Sequence, residues 1–236
     1  ISQIAELNSS EIKTRVEKVQ NNFLQEGEEE INLLIMKLLK FNELEFIQEM
    51  NRLSRIIGFE RTIKEVMSKL IDKLSLLWIT GSMSLVQEKY MNRVLKEYII
   101  QSIGNFESTA SIKPDMPTVL LYLNPTEQNE VSFYITHYLF RKKLFNVINL
   151  GRNINQKDIS NVLKAQKVDY IFTIFNAEQT IFETSKYLDA LLSRIDKTKL
   201  IVTGTEVSHS DIKDKDFIVL DSIDDIENFI NNLNYE

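Results

Sequence analysis

The sequence contains no cysteine. That removes disulfides, zinc–thiolate centres, iron–sulfur clusters and cysteine nucleophiles together, and it agrees with a reducing, cytoplasmic compartment. Histidine occurs twice, as His137 and His209, too few for a multi-histidine metal centre. Glycine (6) and proline (3) are scarce among 236 residues, which favours long helices over a turn-rich all-β architecture. No run reaches the roughly 18–20 uncharged apolar residues of a membrane span, and the longest, Ile31 to Leu39, carries Asn32 and Lys37. No signal-peptide pattern follows Ile1, and the chain reads as a piece of a larger soluble protein with no membrane partner. A net charge of −6 argues against a nucleic-acid-binding surface on this chain itself. What remains is ordinary globular material: 43% hydrophobic, 26% charged, and long enough for two domains.

The two halves follow different periodicities. From Ser9 to Ile103 apolar residues recur at helical spacing. Ile12, Val16, Val19 and Phe23 form one stripe, Ile31 to Leu39 a second, and Phe46, Met50, Leu53 and Ile57 a third that stops at Gly58. Ile63 to Leu77 and Leu85 to Ile99 form two more. Asn42 with Glu45, and Ser84 with Gln87, have capping-box spacing. This predicts a four- to five-helix bundle over 9–104. A polar, proline-containing linker over 105–117 follows. Beyond it, short continuous apolar runs alternate with amphipathic stretches: strands at Val119–Leu123, Val147–Leu150 and Tyr170–Phe175, each followed by a helix, then strands at Leu200–Thr203 and, after a polar loop, Phe217–Leu220, with a last helix over Ser222–Leu233. The expected fold of 118–236 is α/β, a flavodoxin-like doubly wound five-stranded parallel sheet. Ligands of such sheets lie outside the carboxyl ends of the strands. The loops at Asn124–Asn129, Gly151–Asn155, Phe175–Gln179 and Gly204–Ser208 would surround that crevice.

An enzyme is hard to find in these residues. There is no dinucleotide fingerprint, P-loop, metalloprotease helix or nucleophile elbow. The loop after the first strand, Asn124-Pro125-Thr126-Glu127-Gln128-Asn129, is not a glycine-rich phosphate cradle. His137 reads as a packed or surface helical residue and His209 as a solvated loop residue. Trp78 reads as a core or interface tryptophan. Glu28–Glu30 and Arg141–Lys143 suit the dipole of a helix start and a helix end. The chain is expected not to be an enzyme.

A helical bundle, a linker and a flavodoxin-like domain, in that order, resembles the layout of cobalamin-binding modules. Leu77-Trp78-Ile79-Thr80-Gly81-Ser82, followed by Val86-Gln87-Glu88-Lys89, is similar to the helical cap of light-sensing, cobalamin-dependent regulators of the MerR type. In that cap a tryptophan is followed after nine residues by Glu-His. Ile1–Leu7 resembles the tail of a MerR-type winged helix-turn-helix, so 1–8 would be the remnant of a preceding domain.

The resemblance implies a C-terminal sensory and oligomerisation module. It would reach DNA through a domain absent from this chain, act as a homo-oligomer, and answer to a ligand or an antagonist protein. A methyl-carrying corrinoid protein is the alternative. The resemblance also places cofactor-binding positions at Trp78, Glu88, Lys89, Glu127, Asn129, Ser132, Thr173, Gly204 and Thr205. Four of these depart from the family. Lys89 replaces the cap histidine, Asn129 the cobalt-ligating histidine, Ser132 the loop glycine, and Thr205 the second glycine of a late Gly-Gly pair. A carboxamide is a poor cobalt donor, so the expectation is a regulator without histidine-ligated cobalamin and with no metal ligands of its own.

Overall fold

The computed structural model describes residues 28–107, 116–128, 130–176, 181–195, 197–208 and 216–233. The expected helix around Ile12–Phe23 and the remnant at 1–8 lie outside them, as do Asn129 and His209. The chain divides into two compact units, Ile1–Val94 and Leu95–Glu236.

The first unit is helical. Helix α1 (Glu28–Leu39) starts on three glutamates that favour its positive end. Helix α2 (Glu43–Ile57) is capped by Asn42, whose side chain accepts the Glu45 N–H, and it ends at Gly58 with φ +86°. Next come a single turn α3 (Phe59–Arg61), a π-helical segment (Thr62–Met67) and α4 (Ser68–Ile79). The uninterrupted 3.6-residue period expected over Ile63–Leu77 is therefore wrong at its start. Thr62 there is fully buried, and its hydroxyl donates to Gly58 O at 2.9 Å. Helix α5 (Leu85–Glu107) opens on the expected Ser84–Gln87 box: Ser84 N–H donates to Gln87 Oε1 at 3.0 Å and Gln87 N–H to Ser84 Oγ at 3.4 Å. Gln87 Nε2 also donates to Leu39 O, tying α5 to the end of α1. Leu34, Leu38, Phe46, Met50, Leu53, Ile63, Met67 and Leu70 form the solvent-excluded centre of this unit.

The second unit takes the last turns of α5 and then the expected α/β succession: β1 (Thr118–Leu121), α6 (Glu130–Lys142), β2 (Asn146–Asn149), α7 (Gln156–Ala165), β3 (Tyr170–Ile174), α8 (Ile181–Leu192), β4 (Lys199–Thr203), α9 (Thr205–Ser208), β5 (Ile218–Val219) and α10 (Ile223–Asn232). All neighbouring strands are parallel, in the order β2-β1-β3-β4-β5. This is the doubly wound flavodoxin-like sheet, with its switch point between β1 and β3.

Alternation assigns each strand residue to a face. On one face Phe172 meets Phe140, which stacks edge-on against Phe145, and Tyr170 meets Phe229, so α6 and α10 cover that side. On the other, Leu120, Tyr122, Ile171, Phe175, Leu200 and Val202 pack with Ile159, Leu188 and Leu191 of α7 and α8. Burial on both faces is why the strands read as unbroken apolar runs. Asn155 makes a full capping box with Asp158 at the start of α7. No helix among the described residues is long and apolar enough to cross a membrane.

Candidate functional site

The carboxyl ends of β1, β3 and β4 are joined by one polar network. Asn124, just beyond β1, is buried. Its Oδ1 accepts the backbone N–H of Thr126 (3.0 Å), the Thr126 hydroxyl (2.5 Å) and the N–H of Glu127 (3.1 Å), while its Nδ2 donates to Ile174 O. The same loop carries Glu127 inward until it is 3% exposed. One carboxylate oxygen accepts the Gln128 N–H at 2.9 Å and the other the Asn176 N–H, beyond β3, at 2.6 Å. Asn176 Oδ1 in turn accepts the N–H of Thr205, beyond β4, at 3.1 Å. Three loops are thus held by two asparagines and a carboxylate, and the carboxylate bonds are of the short, charge-assisted kind.

Gly204 sits where this network meets the sheet. Its φ is +119°, and a Cβ there would lie 2.5 Å from the Phe175 carbonyl carbon, nearer still to its oxygen, and 2.9 Å from Asn176 Oδ1. Glycine is required for that close backbone approach.

Beneath the loops, Tyr122 is fully buried and its hydroxyl shares a 3.1 Å hydrogen bond with that of Tyr187, which stacks edge-on against Phe175. Burial first, then the neighbouring phenol, pushes the Tyr122 hydroxyl well above the usual phenol range. Thr173, fully buried on β3, lies beside that phenol. The Tyr122–Tyr187 pair makes this part of the switch point a packed interior of the sheet unit.

A second polar site lies at the edge of the sheet. Asn149 Oδ1 accepts the Gly151 N–H at 2.8 Å, which turns its Nδ2 toward His137 Nδ1 at 3.0 Å. Nδ1 must accept, so the imidazole proton sits on Nε2. That N–H is buried and finds no partner among the described residues. Burial, with a smaller push from Arg141, lowers the His137 pKa to about 4. His137 is therefore neutral at pH 7, packed on α6 as the sequence suggests.

The ordinary histidine value is near 6.5, above that of His137 in the folded chain. The unfolded chain binds this proton first, so stability is complete above pH 6.5 and is lost as pH falls toward 4. His137→Gln keeps a neutral acceptor for Asn149 without the titration. The gap in unfolding free energy between wild type and this variant is expected to shift by about 3 kcal/mol in the variant's favour between pH 7 and 4. Urea midpoints across that range would measure it, and a gap that does not change with pH would contradict it.

The structure groups some of the sequence-identified positions and separates others. Glu127, Thr173, Gly204 and Thr205 lie at or beside the carboxyl ends of the sheet. Ser132 is in the first turn of α6, where its carbonyl accepts the Thr136 hydroxyl at 3.0 Å. Trp78, Glu88 and Lys89 belong to the helical unit. Trp78 is in the last turn of α4 and 44% exposed, not in the bundle core. Glu88, partly exposed in the first turn of α5, accepts from Asn92 at 3.4 Å; Lys89 is exposed. Sequence reasoning missed Asn176 as a hub and did not single out Asn124. The signal was available: each is the first polar side chain after an apolar strand run that ends at the crevice.

Where the resemblance expects a cobalt-ligating histidine the sequence has Asn129, whose carboxamide is a poor cobalt donor. A metal-bound imidazole ordinarily gives its second N–H to a carboxylate or carbonyl. Here the loop position carries Asn129, and both oxygens of Glu127 are engaged by backbone amides. Neither histidine of the sequence lies in that loop. Among the described residues no three histidine or carboxylate side chains gather as a metal site.

No protein-family model matches the chain, and no curated protein matches it. Solved structures do. The methanol:cobalamin methyltransferase complex MtaBC of Methanosarcina barkeri matches at 15% identity over 98% of this chain and 92% of its own, with a TM-score of 0.44. A cobalamin-binding protein from Desulfitobacterium hafniense DCB-2 matches at 11% identity over 93% and 95%, with a TM-score of 0.41. The monomethylamine corrinoid protein of Methanosarcina barkeri matches at 11% identity over 86% of this chain and 97% of its own, with a TM-score of 0.67. On that last likeness, a helical bundle followed by a Rossmann-like parallel sheet, this chain has the fold of a corrinoid protein.

Proposed function

We propose that this chain is the sensory and oligomerisation module of a MerR-type transcription regulator, and that it works without histidine-ligated cobalamin. The observation that carries the cofactor part is the engagement of Glu127. Glu127, two residues before the position of the family's cobalt-ligating histidine, holds the Gln128 and Asn176 amides, and Asn129 stands in that histidine's place. The resemblance of Ile1–Leu7 to the tail of a winged helix-turn-helix supports the regulator part, as does the Trp78–Glu88 spacing. In this reading DNA is reached through a preceding domain. The module sets how many such domains act together, gaining affinity by avidity rather than by new base contacts. It performs no catalytic step, resides in the cytoplasm, and answers to a protein antagonist or another ligand.

The second reading is a methyl-carrying corrinoid protein. The solved monomethylamine corrinoid protein of like fold favours it. Asn129 opposes it, since such a carrier needs a ligand that supports cobalt through its oxidation states.

Light scattering separates the two. The regulator reading expects one assembled mass in the dark, in the light, and with or without adenosylcobalamin. A mass that changes on illumination only when adenosylcobalamin is present would overturn the cofactor-free reading. A corrin-loaded monomer would favour the carrier.

A further inference from the structure

The sheet unit is charged unevenly. From Arg141 to Lys199 the sequence carries eleven Lys and Arg against six Asp and Glu, although the whole chain has a net charge of −6. The topology gathers many of these cations at one end. Between parallel strands each connecting helix runs back along the sheet, so its carboxyl end lies at the amino ends of the strands. The Arg141–Lys143 run closes α6, Lys164 and Lys167 flank the end of α7, and Arg194, Lys197 and Lys199 lie between α8 and the start of β4. Backbone bonds mark the same rim: Asp169 N–H donates to Thr118 O at 2.9 Å and Lys199 N–H to Asp169 O at 3.0 Å. Lys164, Lys167, Arg194, Lys197 and Lys199 are exposed. Of these five, only Lys167 has an ion-pair partner among the described residues, a loose contact with Asp169 at 3.4 Å.

Helix ends explain part of this. Each carboxyl end carries about −0.5 charge, so three ends balance about 1.5 cations. The eight cations are set against three acids of the same connections, Asp169, Asp196 and Asp216, of which Asp196 lies outside the described residues. The surplus is well beyond what the dipoles neutralise. The net charge of the chain conceals it, because the balancing acids lie elsewhere in the sequence.

We propose that this rim is a contact surface for the phosphate backbone of duplex DNA, a second contact beside that of the preceding domain. The choice of duplex DNA rests on the regulator reading above and on what the rim lacks. Among the described residues of the sheet unit the only exposed large apolar side chain is Ile100, on α5, so an anionic membrane would gain no apolar insertion. No ring is open for stacking on a single strand: Phe145 is buried, and Tyr170 packs edge-on against Phe145 and Phe229. What the rim offers is charge in a row. Neighbouring strands lie about 4.8 Å apart, so the starts of β2 to β4 span roughly 14 Å, and a duplex presents one charge per about 1.7 Å. Such contacts position a duplex and read no sequence.

The test is fluorescence anisotropy of this chain with a labelled duplex of about 25 base pairs and arbitrary sequence, at about 50 and 200 mM salt. The expected Kd is on the order of 10 µM at the lower salt and at least about tenfold weaker at the higher. Lys164→Glu with Lys197→Glu should weaken binding at least about tenfold and flatten the dependence of log K on log salt by about 2. Lys40→Glu with Lys157→Glu makes the same change in net charge away from the rim and should cost less than about threefold. All four side chains are exposed, so both variants should keep the wild-type circular dichroism.

No binding at the lower salt, or equal losses in the two variants, would overturn the proposal and leave the regulator reading standing. Equal affinity for vesicles of about one-third phosphatidylserine would overturn the choice of DNA. The regulator reading fails on a different readout, the corrin-loaded monomer seen by light scattering.

Discussion

Gly204→Ala is expected to destabilise the sheet unit by at least about 3 kcal/mol. Two costs add. A side chain at φ +119° is in a region that L-residues rarely enter, and the new Cβ would overlap the Phe175 carbonyl. The obstacle cannot step aside. Phe175 N–H is bound to Thr203 O at 2.8 Å, and the next amide, Asn176 N–H, is bound to Glu127 at 2.6 Å. Gly151→Ala is the control. Its φ is +73°, but nothing lies within 4 Å of the added carbon, so only the conformational cost of about 1 kcal/mol applies. Urea unfolding of both variants measures the difference, and equal losses would contradict the close-approach account.

Removing the Glu127 carboxylate is the second large effect. Glu127→Ala strips two amides, Gln128 N–H and Asn176 N–H, of their acceptor at a site that is 3% exposed. The expected loss is about 3 kcal/mol, with faster exchange of the Asn176 amide proton. Glu127→Gln keeps one acceptor oxygen and turns an NH2 toward the other donor, so it should lose about half as much. The direction is informative. An acid held in reserve for a ligand is often a stability burden, and its removal stabilises. An alanine variant as stable as wild type would mean that Glu127 is such a site acid and that its inward position is not a structural need.

The architecture was legible because the sheet is buried on both faces. Val119–Leu123 and Tyr170–Phe175 read as central parallel strands, and Val119–Leu123 and Ile171–Phe175 lie in the interior. The runs overshoot the ladder, since β1 stops at Leu121. Tyr122 and Leu123 are nonetheless buried, with their N–H groups bound to Phe172 O and Gly151 O. Apolarity reports burial, not pairing. The caps at Asn42, Ser84 and Asn155 were legible for a local reason: both partners lie within three residues. The π-helical segment at Thr62–Met67 was not, because six residues are too few to separate its period from 3.6.

The site was half legible. The resemblance located Glu127 and Gly204 at strand ends. It could not show where the Glu127 carboxylate points, because its partner Asn176 is 49 residues away. Nor could it pair His137 with Asn149 across helix and strand. Such contacts are set by the assembled sheet, not by local spacing.

The most direct test of the cofactor-free reading is a visible absorption spectrum. The protein is incubated with adenosylcobalamin in the dark, passed through gel filtration and scanned. A colourless protein peak is the predicted result: with Asn129 in the loop and Glu127 bound to backbone amides, nothing there should hold cobalt in the histidine-ligated manner. Corrin absorbance that travels with the protein and changes on illumination would contradict the account, and would return Trp78 and Glu88 to the role of framing a photoreceptor.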